Sequence, residues 1–210
     1  MKMQTDTLVN LYLDEHVRIA QGFPVMDVVA LVGLVVDSYE WDEDVFVFGN
    51  GGASSAAEHF ASDLAMHPFV SDDKHQSKEI RRIRIHCLNE STGLITRIAN
   101  DIGYEDVFVE QLKNYPLDES NLVIAFSNSG NSPNIIKALE YAKSWGVSTV
   151  LIGGRDGGKA KSIVDVSILV PGSSQFPGQT GANDNSFHIE DFQTSIAHMV
   201  TGLLKEEING

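Results

Sequence analysis

Leu122-Val123-Ile124-Ala125-Phe126 runs straight into Ser127-Asn128-Ser129-Gly130-Asn131-Ser132-Pro133-Asn134, and this change of character decides the fold. The five apolar residues read as a buried strand. Ile135, Ile136, Leu139, Ala142 and Trp145 then fall on one face of a helix. Ser132 suits the N-cap, and Pro133 suits the first helical position. The loop therefore presents hydroxyls and unpaired backbone N–H groups at the positive end of a helix, where small anions bind. Three serines, two asparagines and a glycine, with no lysine, point to a phosphate held by hydrogen bonds rather than by a point charge. An ordinary capped turn has the same ingredients, and the strand–loop–helix setting favours the phosphate.

Outward from this unit the alternation repeats. Strands are expected at Val45–Phe48, Arg82–Leu88, Leu122–Phe126, Thr149–Ile152 and Val166–Val170. Helices are expected at about 54–66, 92–99 with 105–114, 133–145, 157–163 and 187–206. Short apolar strands between helices indicate an α/β fold, a parallel sheet covered on both faces. Ligands then bind at the carboxyl ends of the strands, near a topological switch point. Two further helical patterns come first, at about 5–20 and 25–39. The second is apolar around most of its circumference, so a subunit interface is expected there. The chain is read as one domain, 1–210, with residues 1–41 a helical extension used in oligomerisation and 42–210 the α/β core. Residues 67–78 and 172–186 read as long loops, which in a compact domain are usually functional or disordered.

Composition narrows the partners. The chain has 210 residues, 42% of them apolar, and a net charge of −14. That charge argues against nucleic acid and against an anionic membrane surface, but not against a small anion held by local donors. The one cysteine, Cys87, cannot form a disulfide within the chain and reads as a core residue. The longest apolar run, Val28 to Val36, is far short of the ~20 residues that span a bilayer, and the first residues lack the apolar core of a signal peptide. A cytoplasmic location is expected.

Gly49-Asn50-Gly51-Gly52-Ala53-Ser54 forms a second glycine-rich loop after the first strand. It lacks the third glycine of a dinucleotide fingerprint and the acidic residue that should follow. Its glycines do let a ligand approach the backbone at a second helix start. The helix that follows carries His59 and Asp63 on one face, four residues apart. Alone, such a pair is more often a surface feature than a site. The last helix adds Glu190 and His198 beside an apolar stripe; His198 also fits a core histidine, and Glu190 also fits a charge answering the helix dipole.

Taken in order, Gly49-Asn50-Gly51-Gly52, the His59 helix, Asn100-Asp101-Ile102-Gly103, Ser127 to Ser132 and Gly154-Arg155-Asp156-Gly157-Gly158 resemble the sugar isomerase (SIS) domain, in its phosphoheptose isomerase branch. The likeness covers nearly the whole chain. It implies a flavodoxin-like five-stranded parallel sheet, a homotetramer with active sites between subunits, and interconversion of sedoheptulose 7-phosphate and D-glycero-D-manno-heptose 7-phosphate for glycan synthesis. Many members carry zinc, on residues that correspond here to His59, Asp63, Glu190 and His198. Asp63 takes the place of the family's glutamate base and His198 that of its acid–base histidine. Ser127, Asn128, Ser129 and Ser132 would bind the phosphate, with Asn50, Gly51, Gly52, Asp101 and Glu190 around the sugar.

The chemistry suits these residues. Aldose–ketose isomerisation moves a proton between adjacent carbons through an enediol, so it needs an acid and a base. Departures from the family pattern bear on the substrate. Ala53 stands where a phosphate-contacting serine is usual, Asp63 is one methylene shorter than glutamate, Glu190 replaces a neutral glutamine, and His67 stands where a basic residue is expected. One paralogue of the branch is a tetrameric regulator that binds the bacterial replication initiator. Ala53 and Asp63 suit that reading, or an isomerase of another sugar phosphate. Acid–base candidates on both helices favour the heptose enzyme.

Overall fold

The computed structural model describes residues 4–209. Its centre is a five-stranded, all-parallel sheet in the order β2-β1-β3-β4-β5, with β1 Asp44–Gly49, β2 Arg84–Cys87, β3 Leu122–Ser127, β4 Ser148–Gly154 and β5 Val166–Val170. This is the flavodoxin-like order. The chain leaves β1 toward β2 on one side and then returns to add β3 on the other. Gly49 pairs with Phe126, so the loops that follow β1 and β3 open side by side at this switch point.

Period-two alternation divides the strands between two cores. Val45, Val47, Leu122, Ile124 and Phe126 face α2 (Val25–Glu40), α3 (Gly52–Met66) and α7 (Ser186–Asn209). Phe46, Phe48, Val123 and Ala125 face α4 (Thr92–Asp101), the single turn α5 (Val109–Leu112) and α6 (Pro133–Ser144). Phe46 and Phe48 are fully buried, and truncating either to alanine should cost about 3–5 kcal/mol. Cys87 is a core residue as expected; burial pushes its thiol up to about 11.

Before the sheet, α1 (Thr5–Gln21) packs its Ile19 against Val170, Ile189 and Phe192. Helix α2 buries Val28, Leu31 and Val35. Val9, Leu13 and Val17 on α1, and Val25, Met26 and Val29 on α2, stay exposed, Met26 at 74%. Among the described residues no single helix is long and apolar enough to cross a membrane.

Three expected elements are shorter in the structure. The strand expected at Arg82–Leu88 is Arg84–Cys87, because its only neighbour β1 begins at Asp44, the partner of Arg84. The helix expected over 105–114 is a 3₁₀ turn, Tyr104–Asp106, followed by α5. The helix expected over 157–163 is a 3₁₀ turn at Ala160–Ser162, since Gly157 and Gly158 both take positive φ and bend the chain away from a helical path. The long loops are internally tied. Lys78 N–H bonds the Phe69 carbonyl, and Val70 bridges Ser77. Ser174 Oγ and Gln175 N–H donate to Glu15 of α1.

Candidate active site

The phosphate-loop expectation rests on how β3 hands over to α6. Ser127, the last residue of β3, is buried, and its Oγ accepts from Gly130 N–H at 3.1 Å. Ser129 Oγ accepts from Asn131 N–H at 3.3 Å. Each hydroxyl keeps its own proton to donate. Gly130 takes a positive φ, and a β-carbon there would collide with the Gly157 carbonyl, so the loop rests directly on the glycine turn after β4. Ser132 precedes α6 as expected, but its hydroxyl makes no capping bond. The Ile135 N–H is met by Asn134 Oδ1 and the Ser132 carbonyl instead. The Ser132 hydroxyl is therefore available to a ligand at the positive end of the helix.

Asn50 and Asn134 clasp the two loops together. Their side-chain amides exchange hydrogen bonds of 2.8 and 2.9 Å, and Tyr104 Oη donates to Asn50 Oδ1 at 2.9 Å. A cleft of about 470 Å³ opens here, lined by Asn50, Tyr104, Glu105, Ser132 and Asn134. Asp101 is not brought to it. The Asp101 carboxylate sits at the end of α4, 3.1 Å from Arg97 Nε and bonded by Asn100. Another hollow, lined by Asp37, Glu43 and Glu119 at the amino ends of β1, β3 and β4, is acidic and unsuited to a phosphate.

Helices α3 and α7 run side by side in the same direction. At their first turns Glu190 lies over Gly52, and a β-carbon on that glycine would collide with the carboxylate. Asn128 Nδ2 donates to Glu190 Oε1 at 2.8 Å. Gln193, buried one turn on, steadies Asn128 from Nε2 at 3.3 Å while donating to the Ile152 carbonyl at 3.0 Å. Glu190 thus answers the dipole of α3 rather than that of its own helix.

Two turns further along the same pair of helices, three titratable groups converge. His59 Nε2 and His198 Nε2 are 2.8 Å apart, and Asp63 Oδ2 is 3.2 Å from the first and 3.7 Å from the second. His198 is well exposed, which disposes of the core-histidine reading. Asp63, His67 and His198 line a hollow of about 370 Å³. Zinc–ligand bonds of about 2.0–2.1 Å in a tetrahedron set ligand atoms about 3.3 Å apart. The His–Asp–His group fits such an ion. Glu190, expected as a fourth ligand, is not in the group; its carboxylate is held two turns away by Asn128 and the start of α3.

The SIS domain model matches residues 24–154. The phosphoheptose isomerase of Leptospira biflexa is 32% identical over 212 residues, covering 99% of each chain. The chain belongs to the SIS domain family, in its phosphoheptose isomerase branch. A phosphoheptose isomerase of Helicobacter pylori is 37% identical over 140 residues, 67% of this chain and 68% of that one. The solved phosphoheptose isomerase of Neisseria gonorrhoeae superposes with a TM-score of 0.78 at 23% identity, over 97% of this chain and 100% of that one, and so shares the fold.

Within this SIS chain, sequence reasoning overlooked Tyr104, Asn134 and Gln193. Asn134 follows a proline at a helix start, where a polar residue is routine, and Gln193 lies inside an apolar stripe. Only the neighbouring asparagines, Asn50 and Asn128, hinted that amide partners were needed. Ala53 is buried and brings no hydroxyl to the start of α3. Glu190 already answers the positive end of that helix.

Proposed function

We propose that this chain interconverts sedoheptulose 7-phosphate and D-glycero-D-manno-heptose 7-phosphate, with phosphate on the serine loop and the reacting carbons at His59, Asp63 and His198. What carries this reading is the convergence of His59, Asp63 and His198 on α3 and α7, whose first turns adjoin the serine loop through the Asn128–Glu190 bond.

Asp63 accepts the proton from C1 of the ketose and returns it to C2. His198 donates a proton to the C2 carbonyl oxygen and takes one from the C1 hydroxyl, which closes the exchange. Proton transfers of this kind contribute about 10²–10⁴-fold each. Ser127, Ser129 and Ser132 hold the phosphate at the positive end of α6, and Asn128 and Asn50 fix the loop edges. His59, Asp63 and His198 would also hold a zinc ion, which when bound would polarise the substrate carbonyl. One imidazole nitrogen cannot carry a metal and a proton together, so zinc dependence distinguishes the two roles of His198.

The reading includes a cytoplasmic location and a homotetramer in which residues 1–41 supply contacts. The exposed apolar residues of α1 and α2 support the tetramer. A coupled isomerase assay over a panel of sugar phosphates, with and without zinc, tests the activity. Turnover of sedoheptulose 7-phosphate that falls ~10²–10⁴-fold in His198→Gln supports the proposal. No turnover of any sugar phosphate replaces it with the regulatory alternative.

A further inference from the structure

A second group of metal-competent side chains lies on the other side of α7, where α1 crosses its first turns. His16 Nδ1 is 3.4 Å from His188 Nδ1 and 3.8 Å from Asp191 Oδ2. The three donor atoms lie within 4.8 Å of one another. These separations approach the roughly 3.3 Å edge of a tetrahedral zinc site.

The hydrogen bonding of His188 fixes which of its nitrogens faces the group. His188 is fully buried, and its Nε2 is 3.2 Å from the carboxylate of Glu15, itself buried. A carboxylate facing Nε2 keeps the proton there, so Nδ1 turns a lone pair toward His16 and Asp191. The His188 lone pair, His16 Nδ1 and Asp191 Oδ2, which also accepts from the Tyr12 hydroxyl, thus face one point. A histidine ligand whose far nitrogen donates to a carboxylate is also the usual outer arrangement of a zinc site.

The surroundings are built to hold these rings. Tyr12 stacks on His188 at 4.1 Å between centroids, and its hydroxyl donates to Asp191. Phe192 stacks on His16 at 4.4 Å and 15°. Glu15 is fixed in turn by Ser174 Oγ and Gln175 N–H, from the loop that leads into α7. Asp191 is half-exposed, which leaves an approach from solvent.

We propose that His16, His188 and Asp191 form a structural site for a divalent transition-metal ion, zinc by ligand type, that pins α1 and the 172–186 loop to the start of α7. The site is separate from the His59–Asp63–His198 group and does not depend on the activity proposed above. Its oxygen and two nitrogens match zinc or cobalt better than magnesium or calcium.

The test uses the whole chain carrying His59→Ala and His198→Ala, stripped with a chelator and titrated with zinc chloride or cobalt chloride alone. The expected result is one metal per chain, a cobalt spectrum of four-coordinate intensity, and a rise in Tm with zinc. Adding Asp191→Asn, which keeps the shape of a half-exposed side chain, or His16→Gln should abolish the spectrum. Glu15→Gln should weaken affinity by about 10–100-fold. The site is overturned if the background protein binds no metal at micromolar free zinc, or if binding survives both Asp191→Asn and His16→Gln. Should His16→Gln fail to fold, Asp191→Asn alone decides between these outcomes.

Discussion

The Glu190 carboxylate lies against Gly52, at the positive end of α3, with Asn128 of the serine loop bonded to its other side. A negative charge is thus fixed beside the loop proposed to take a phosphate. Two unit charges about 8 Å apart repel by roughly 2 kcal/mol at an effective dielectric constant near 20. Glu190→Gln keeps an acceptor for Asn128 and removes this repulsion. KM for the sugar phosphate should fall several-fold, and the difference should shrink as salt is added. Stability should drop by about 0.3–1 kcal/mol, since the dipole of α3 loses its counter-charge. A KM that rises in the variant would show that the carboxylate contacts the substrate favourably.

Ser129 tests the phosphate site most directly. Its Oγ accepts from Asn131 N–H and has its own proton left for a ligand. Ser129→Ala should weaken binding of a sugar phosphate by about 10–100-fold, because a hydrogen bond to a charged group contributes roughly 1.5–3 kcal/mol. Calorimetry with a substrate or product reads this directly. Unchanged affinity would remove the hydroxyl from the site.

Sequence periodicity located the central strands, because a parallel strand buried on both faces must be apolar throughout, as Leu122–Phe126 is. It overran at 105–114, where a 3₁₀ turn interrupts the helix, and at 157–163, where Gly157 and Gly158 take positive φ, neither of which changes the apolar rhythm. His59, Asp63 and His198 could be grouped from helical spacing and the family likeness. Glu190 could not be placed the same way. Its spacing from His198 is helical, but whether the side chain reaches along α7 or across to Gly52 depends on packing against another helix. Glu15 shares the helical spacing of Leu8, Leu11 and Ile19 on α1, and its burial against His188 depends on packing between helices that the spacing does not show.

The exposed stripes on α1 and α2 give a prediction about assembly. Val9, Leu13 and Val17 lie four residues apart, on one face of α1. Leu13→Glu with Val17→Glu should shift sedimentation at micromolar concentration from a tetramer to smaller species, while circular dichroism stays unchanged. A wild-type chain that sediments as a stable monomer would sink the interface and any shared site.

Asp165, just before β5, ties the start of that strand to the start of β4 and to the end of α6. Burial works to raise its carboxyl, but the Lys143 ammonium and the N–H and hydroxyl of Thr149 outweigh it and hold it below the usual carboxylate range. A group depressed in the folded state stabilises the protein above its unfolded pKa, near 4, and loses that contribution as pH falls through the folded value. Asp165→Asn should therefore lower Tm by a few degrees at neutral pH, for a loss of about 1 kcal/mol. Below about pH 4 the gap to wild type should close. An undiminished gap in acid would assign the loss to packing.

The last prediction concerns the length of the proposed base. Asp63 Oδ2 already lies 3.2 Å from His59, one turn before it on α3, and 3.7 Å from His198 on the neighbouring α7. A glutamate would carry its carboxylate about 1.5 Å further from the backbone, into or past the imidazoles. Misplacement by about 1 Å can cost ~10²-fold in rate. Asp63→Glu should therefore lower turnover of sedoheptulose 7-phosphate, although glutamate is the usual family residue. Asp63→Asn, which removes the base but keeps the shape, should lower it by ~10²–10⁴-fold with little change in substrate binding. Faster turnover in Asp63→Glu would mean that the short side chain is a loss from the heptose site. Equal turnover in all three proteins would remove Asp63 from the chemistry and leave His198 without a base.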